Sequence, residues 1–394
     1  MRASENTPIA LWAAVYATAL CAGVLVAGEF LPVSLLSPIA QDFVITEGRA
    51  GQAISISGLF AVLTSLTIAP LTRRIDRRHV VTGFVFALAL SCVIVGFATT
   101  YPWLLAGRAV LGVAVGGFWT FATATVMRLL PPQHLAAGLA LVSSGIAVAT
   151  TFSAPLASIL GELLGWRNTV LLMAPVAGFA GIGLWTSLPA MPPDRAATGR
   201  NPFGLFHRRQ VRLAMAAVAL VFLGQFAIFT YIRPFLESMT GLSVRALSGV
   251  LLGLGMAGIA GTWWVGRALK ADLFRPLITL PLVLALIAAG LVVFGSVQWA
   301  VAALFIAWGF VGSAAPVGWG LWLSRALPED AEVAGGLQVA VIQLAIAAGA
   351  LSGGMALDHL GWQAPFWVGI ACLVGSAGFA ALTAADMRRS APAQ

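Results

Sequence analysis

Long apolar runs, each followed by a short polar stretch, alternate along the whole chain. Twelve of these runs approach or exceed the roughly 20 residues a helix needs to cross bilayer hydrocarbon. They fall at 9–36, 50–71, 80–98, 103–126, 135–160 and 169–188, then at 213–236, 247–265, 277–294, 300–323, 334–357 and 366–385. The longest polar interruption, rich in Pro, Arg and Gly, lies near the midpoint. The pattern predicts an all-α polytopic membrane protein: a six-helix half at 1–188, a linker at 189–212 and a second six-helix half at 213–394. Weak internal repeats support two related halves. Arg128-Leu129-Leu130-Pro131 recurs as Arg325-Ala326-Leu327-Pro328, and Gly165-Trp166-Arg167 as Gly361-Trp362-Gln363, at offsets of 197 and 196. Six spans per half is an even number, so the halves keep one orientation in the membrane.

Composition agrees with a lipid-solvated chain. Of the 394 residues 60% are hydrophobic and 9% charged, where a soluble domain carries about a quarter charged residues. The net charge of +8 does not point to nucleic acid, because the arginines sit in clusters between apolar runs. Arg73, Arg74, Arg77 and Arg78 follow the second run, Arg195 to Arg212 occupy the linker, and Arg388 and Arg389 close the chain. All fall on one side of a twelve-span topology, which makes both termini cytoplasmic by the positive-inside rule. The first run is too long for a cleaved signal, so an inner (cytoplasmic) membrane of a bacterium is the expected location. Cys21, Cys92 and Cys372 lie in separate apolar runs without metal or disulfide spacing. No metal site, Walker motif or catalytic constellation is evident, so no enzyme, cofactor or ATP-driven pump is expected.

Two ionisable residues stand apart. Of fourteen acidic residues only Glu29 lies well inside a run, and an intramembrane acid costs roughly 2.5–3.5 kcal/mol to insert, which marks it as a functional candidate. Pro32 cannot donate to the carbonyl of Gly28, next to Glu29, so that carbonyl needs another partner. Arg108 is the one basic residue well inside a run. At about 1.5 Å per residue the two lie roughly 10 and 8 Å from the outer ends of their helices. They are therefore expected at matching depth, with Arg108 either tuning the titration of Glu29 or bonding backbone carbonyls of the first span.

Several motifs resemble those of known families. Gly107-Arg108-Ala109-Val110-Leu111-Gly112 resembles the RxxxG motif of the fourth span in the major facilitator superfamily. Ser153-Ala154-Pro155-Leu156 resembles the antiporter motif of its drug:proton antiporter branch, with Ala154 where Gly is usual. Leu71 to Arg78 is a degenerate form of the loop motif between spans two and three, with Arg73 in place of the acid and Asp76 in place of the second glycine. The stretches Glu29 to Leu36, Gly116-Gly117-Phe118-Trp119, Gly224-Gln225-Phe226 with Phe229 to Pro234, Pro316 to Trp319 and Gln338 to Leu344 are similar to bacterial purine ribonucleoside efflux permeases.

The resemblance implies a major facilitator fold and proton-coupled export of purine ribonucleosides by alternating access, working as a monomer. Its implied partners are the nucleoside, protons and the lipid bilayer. Sugar or multidrug antiport within the same superfamily is the alternative. It also implies a cavity lined by spans 1, 4, 7 and 10. Glu29 and Arg108 are then candidates for proton coupling, and Trp119, Gln225, Phe229, Thr230, Tyr231, Trp319 and Trp322 for substrate binding. Gln338 and Gln343 on the eleventh span complete the set. They stand roughly 140° apart around a helix, so one of them is expected to bond a neighbouring helix instead.

Overall fold

The computed structural model describes residues 7–192, 202–327 and 330–390, and regular structure among them is helical. Six helices come first: α1 (Thr7–Phe43), α2 (Glu47–Thr72), α3 (Arg77–Gly96), α4 (Tyr101–Leu129), α5 (Pro132–Leu164) and α6 (Trp166–Ser187). After a 3-10 turn at Pro202–His207 come α7 (Arg209–Phe229), α8 (Ile232–Ser238), α9 (Val244–Ala271), α10 (Phe274–Val293), α11 (Gln298–Gly312), α12 (Ala314–Ala326), α13 (Ala331–Leu360) and α14 (Ala364–Ser390). They make twelve membrane-length apolar spans, because α7 with α8 and α11 with α12 each form one interrupted span. The chain is thus a multi-pass α-helical membrane protein. Large apolar side chains such as Phe179, Leu286, Val293 and Trp299 are exposed, while Thr18 and Thr125 are buried. Their hydroxyls donate to carbonyls one turn back, Ala14 and Phe121, at 2.8 Å, which removes much of the cost of burying them.

The chain forms two compact units. One comprises Met1–Pro32 with Ile56–Thr198, the other Val33–Ser55 with Gly199–Gln394. The backbone therefore passes from one unit to the other inside α1 and returns inside α2.

In the first unit α3 packs on α4 and α6, and Ser91 Oγ donates to the Gly107 carbonyl at 2.7 Å. On α4, Gly112 and Gly116 lie against the carbonyls of Ser57 and Ala61 on α2, where a methyl group would collide. In the second unit α7 packs on α13 and α14, and α9 on α11. There Gly309 lies against the carbonyl of Leu254 in the same way. Gly112 and Gly309 are 197 positions apart, as are Ser57 and Leu254. The weak sequence repeat is therefore also a repeat of backbone-to-backbone helix contacts, which small residues permit. The other repeat is a turn. Gly165 (φ 80°) joins α5 to α6 and Gly361 (φ 87°) joins α13 to α14, a left-handed conformation that glycine adopts without strain.

The loop between α2 and α3 explains Asp76. Its carboxylate caps α3, accepting from Arg78 N at 2.8 Å, and also accepts from Met191 N at 3.1 Å. Arg77 N donates to the Met191 carbonyl at 3.0 Å, so the start of the linker is pinned to this loop. Arg195 and Arg200 fall outside the described residues. Past the linker, Arg208 pairs with Asp330 at 3.1 Å and Arg209 with Asp386 at 3.6 Å, both within the second unit. Asp272 opens α10 by accepting from Phe274 N and Arg275 N at 2.8 and 3.0 Å. These bonds hold its carboxyl below the usual carboxylate range.

Candidate functional site

Arg108 is buried in the first unit at 4% exposure. Its Nη1 donates to the Gly28 carbonyl at 3.0 Å, and its Nη2 to the Glu29 carbonyl at 3.0 Å and to Ser57 Oγ at 3.1 Å. The carbonyl that Pro32 cannot serve is thus taken by a guanidinium from α4. Glu29 is buried as well, and its side chain acts electrostatically on Arg108. One planar fork therefore ties α4 to both α1 and α2, a geometry that lysine could not reproduce. The two residues meet although α1 continues seven residues beyond Leu36 to Phe43, which sets Glu29 deeper along its helix than the apolar run implies. A hydropathy pattern marks the apolar run, not the turn that ends the helix. Trp119, three turns beyond Arg108 on α4, is half-buried with its ring edge-on to Phe118 at 5.6 Å.

The second unit departs from this pattern. The position 197 residues after Arg108 is Phe305, 1% exposed and edge-on to Phe235 at 6.0 Å. A ring thus occupies the place of the cation. The second unit is instead distinguished by two helix breaks. Between α7 and α8 the helix is interrupted at Thr230 and Tyr231, where Pro234 has no N–H to offer the Thr230 carbonyl. Between α11 and α12 it is interrupted at Ser313, and Pro316 likewise has none for Gly312. Interrupted spans lay bare backbone polar groups and mark binding regions in transporters.

Gln225 lies at the second break. Its Oε1 rests against Gly312, with the Trp308 indole nitrogen close by. Its Nε2 is buried with no hydrogen-bond partner among the described residues, and so is Thr230 Oγ1. A buried donor left unpaired costs about 1–3 kcal/mol. Phe229 is half-buried one turn from Gln225 and meets Phe226 edge-on at 5.8 Å.

The remaining candidates sit elsewhere in this unit. Tyr231 donates its hydroxyl to the Ala350 carbonyl on α13 at 2.6 Å and is enclosed by Gly51 and Gly354. Trp322 is fully buried and donates to Met387 Sδ on α14 at 3.4 Å. Trp319 meets Trp322 edge-on at 5.9 Å and lines an apolar cleft with Val221, Leu269 and Leu277. Span 10 reaches Gln225 at Gly312, about two turns before Trp319. Gln338 and Gln343 are both buried on α13. Sequence reasoning did not single out Ser57, Trp308 or Gly312. The available signal was a proline four residues after Gly312, the rule already applied to Pro32.

A family model described as Major Facilitator Superfamily matches residues 18–331. The transcription regulatory protein OpdE of Pseudomonas aeruginosa is 46% identical over 386 residues, covering 97% of this chain and 95% of its own. The purine ribonucleoside efflux pump NepI of Salmonella typhimurium is 42% identical over 354 residues, covering 90% and 89%. Among solved structures, a bacterial homologue of the human lysosomal transporter Spinster, inward-facing and unoccupied, superposes with a TM-score of 0.80 at 16% identity. That match covers 99% of this chain and all of the other. The occupied inward-facing form gives 0.77 at 15% identity, covering 96% and 98%.

Proposed function

We propose that this chain, which belongs to the Major Facilitator Superfamily, exports purine ribonucleosides across a bacterial inner membrane in exchange for protons. The observation that carries the substrate class is 42% identity to a purine ribonucleoside efflux pump along 90% of the chain. The second unit supplies compatible chemistry. Gln225 Nε2 and Thr230 Oγ1, buried and without a partner among the described residues, suit the hydrogen-bonding edge or ribose of a nucleoside. Phe229, one turn from Gln225 in the same unit, offers a ring face, and a stacked base is worth about 1–3 kcal/mol in other settings.

Proton coupling is assigned to Glu29 with Arg108. A proton taken by Glu29 removes its charge and leaves Arg108 held by the two α1 carbonyls and Ser57. The grip of α4 on α1 and α2 thus has two strengths, set by protonation, and a transporter alternates access through such differences. In this reading both termini are cytoplasmic, on the arginine-rich side, and the monomer is the working unit.

Uptake of labelled inosine, arabinose and a lipophilic cation into inside-out vesicles under an imposed pH gradient tests the proposal. Inosine should accumulate with the gradient and collapse with it, and Glu29→Gln should remain folded but lose the gradient-driven component. Transport of arabinose or the cation without inosine would move the substrate to the sugar or multidrug alternative. Full gradient-driven transport by Glu29→Gln would remove Glu29 from the coupling.

The relative named as a regulatory protein favours a second reading, in which the chain affects transcription. Spans 6 and 7 are separated only by residues 188–208, too few for a separate DNA-reading domain. Such an effect would follow from changing the concentration of a transported effector.

A further inference from the structure

The second unit holds a piece of the first helical hairpin. Residues Val33–Ser55, the end of α1 and the start of α2, belong to it by packing. They lie at the end of the spans opposite the Arg73–Arg78 loop. Five contacts secure them. Arg233 of α8, itself paired with Glu237 at 2.7 Å, donates to the Ser34 carbonyl. Asp358 near the end of α13 accepts from Thr46 Oγ1 at 2.7 Å and from Gly48 N at 3.1 Å. Gly48 lies directly on the Gly354 carbonyl, and Gly51 on the Tyr231 hydroxyl, with no room for a methyl group at either.

The grip is local and opposed. Glu47 stands close enough to Asp358 and Glu237 to feel both negative charges, so like-charge repulsion works against the bonds that Asp358 makes. The segment begins just past Pro32 and ends just before Ile56. The residues bonded to Arg108, namely Gly28, Glu29 and Ser57, lie immediately outside both limits.

We propose that Asp358 is a positioning residue of the transport cycle, the release point of a latch that holds Val33–Ser55 against α8 and α13. Access alternates between the two ends of a repeat transporter, and in this scheme residues 33–55 leave Asp358, Gly354 and Arg233 once in each cycle. Asp358 touches no substrate in this scheme. It sets the population of the latched state, and with it the exchange rate. The inference rests on the orientation given above, which makes this the outer end.

The test reads access without any substrate. Ser34→Cys is introduced into a protein whose Cys21, Cys92 and Cys372 are replaced by Ala, and its labelling by a membrane-impermeant maleimide is timed from each side. Asp358→Ala removes both bonds, and Gly48→Ala pushes the hairpin off α13 by a different route. Each should speed labelling from the outer side by at least about tenfold, the effect of losing even one charge-assisted hydrogen bond. Asp358→Asn, which keeps the shape and one acceptor oxygen, should fall between. Unchanged labelling in any folded variant that removes the latch overturns the proposal, and Asp358→Asn supplies the answer if the alanine variants do not fold. Acceleration confined to the opposite side would refute the orientation, whereas failure of nucleoside transport would leave the labelling result intact.

Discussion

Pro32 and Arg108 should be energetically coupled through the Gly28 carbonyl. Arg108→Met removes the donors to Gly28, Glu29 and Ser57 from a buried site. The orphaned Gly28 carbonyl alone costs about 1–3 kcal/mol, and stranding Glu29 adds to it, since breaking a buried charged pair costs about 3–5 kcal/mol. Working in a Glu29→Gln background removes the second contribution. Pro32→Ala restores an N–H that reaches the Gly28 carbonyl one turn back. With Arg108 present that carbonyl is already served, so the gain is mainly the helix preference of Ala over Pro, up to about 3 kcal/mol. With Met at position 108 the same change also satisfies the orphan, and its gain should be larger by about 1–2 kcal/mol. The assay is unfolding of the four proteins by SDS titration in mixed micelles, followed by far-UV circular dichroism. A coupling energy within about 0.5 kcal/mol of zero, the additivity expected of independent sites, would refute the assignment of Arg108 as the partner of that carbonyl.

Gln225→Met should stabilise the protein by about 1 kcal/mol or more, because it deletes a buried donor that has no partner among the described residues, while lowering inosine transport. A thermal melt beside vesicle uptake checks both, and a loss of stability would mean that the amide is already satisfied. Gly112→Ala and Gly309→Ala each drive a methyl group into a backbone carbonyl and should destabilise by about 1–3 kcal/mol. Gly178→Ala, with open space around it, should be neutral or gain up to about 1 kcal/mol, and melting temperatures in detergent should show this ranking. Asp76→Ala should lose about 1 kcal/mol as a helix cap, with a further loss from freeing Met191, and Asp76→Asn should recover part of it by the same measurement.

The twelve spans and the repeated halves were legible in the sequence because hydropathy is a sum over neighbours in the chain. Each run reports its own transfer into lipid whatever it packs against. Glu29 and Arg108 stood out for the same reason, as costs visible one residue at a time. The need for a partner at Gly28 was also readable, since Pro32 fixes it within one turn. The identity of that partner depended on α4 lying against α1, which no local pattern encodes. The same limit explains the rest of the site. Tyr231, Trp319, Trp322 and Gln225 all read as polar or aromatic residues on cavity helices. Packing decided that Tyr231 bonds Ala350, that Trp322 turns to Met387, that Trp319 lines an apolar cleft, and that Gln225 keeps an unpaired nitrogen beside the break at Ser313. Packing likewise gave residues 33–55 to the second unit, although the chain enters and leaves them in mid-helix. A helix face is fixed by sequence period. Which carbonyl or glycine it meets is fixed by the helices beside it, and those come from distant parts of the chain.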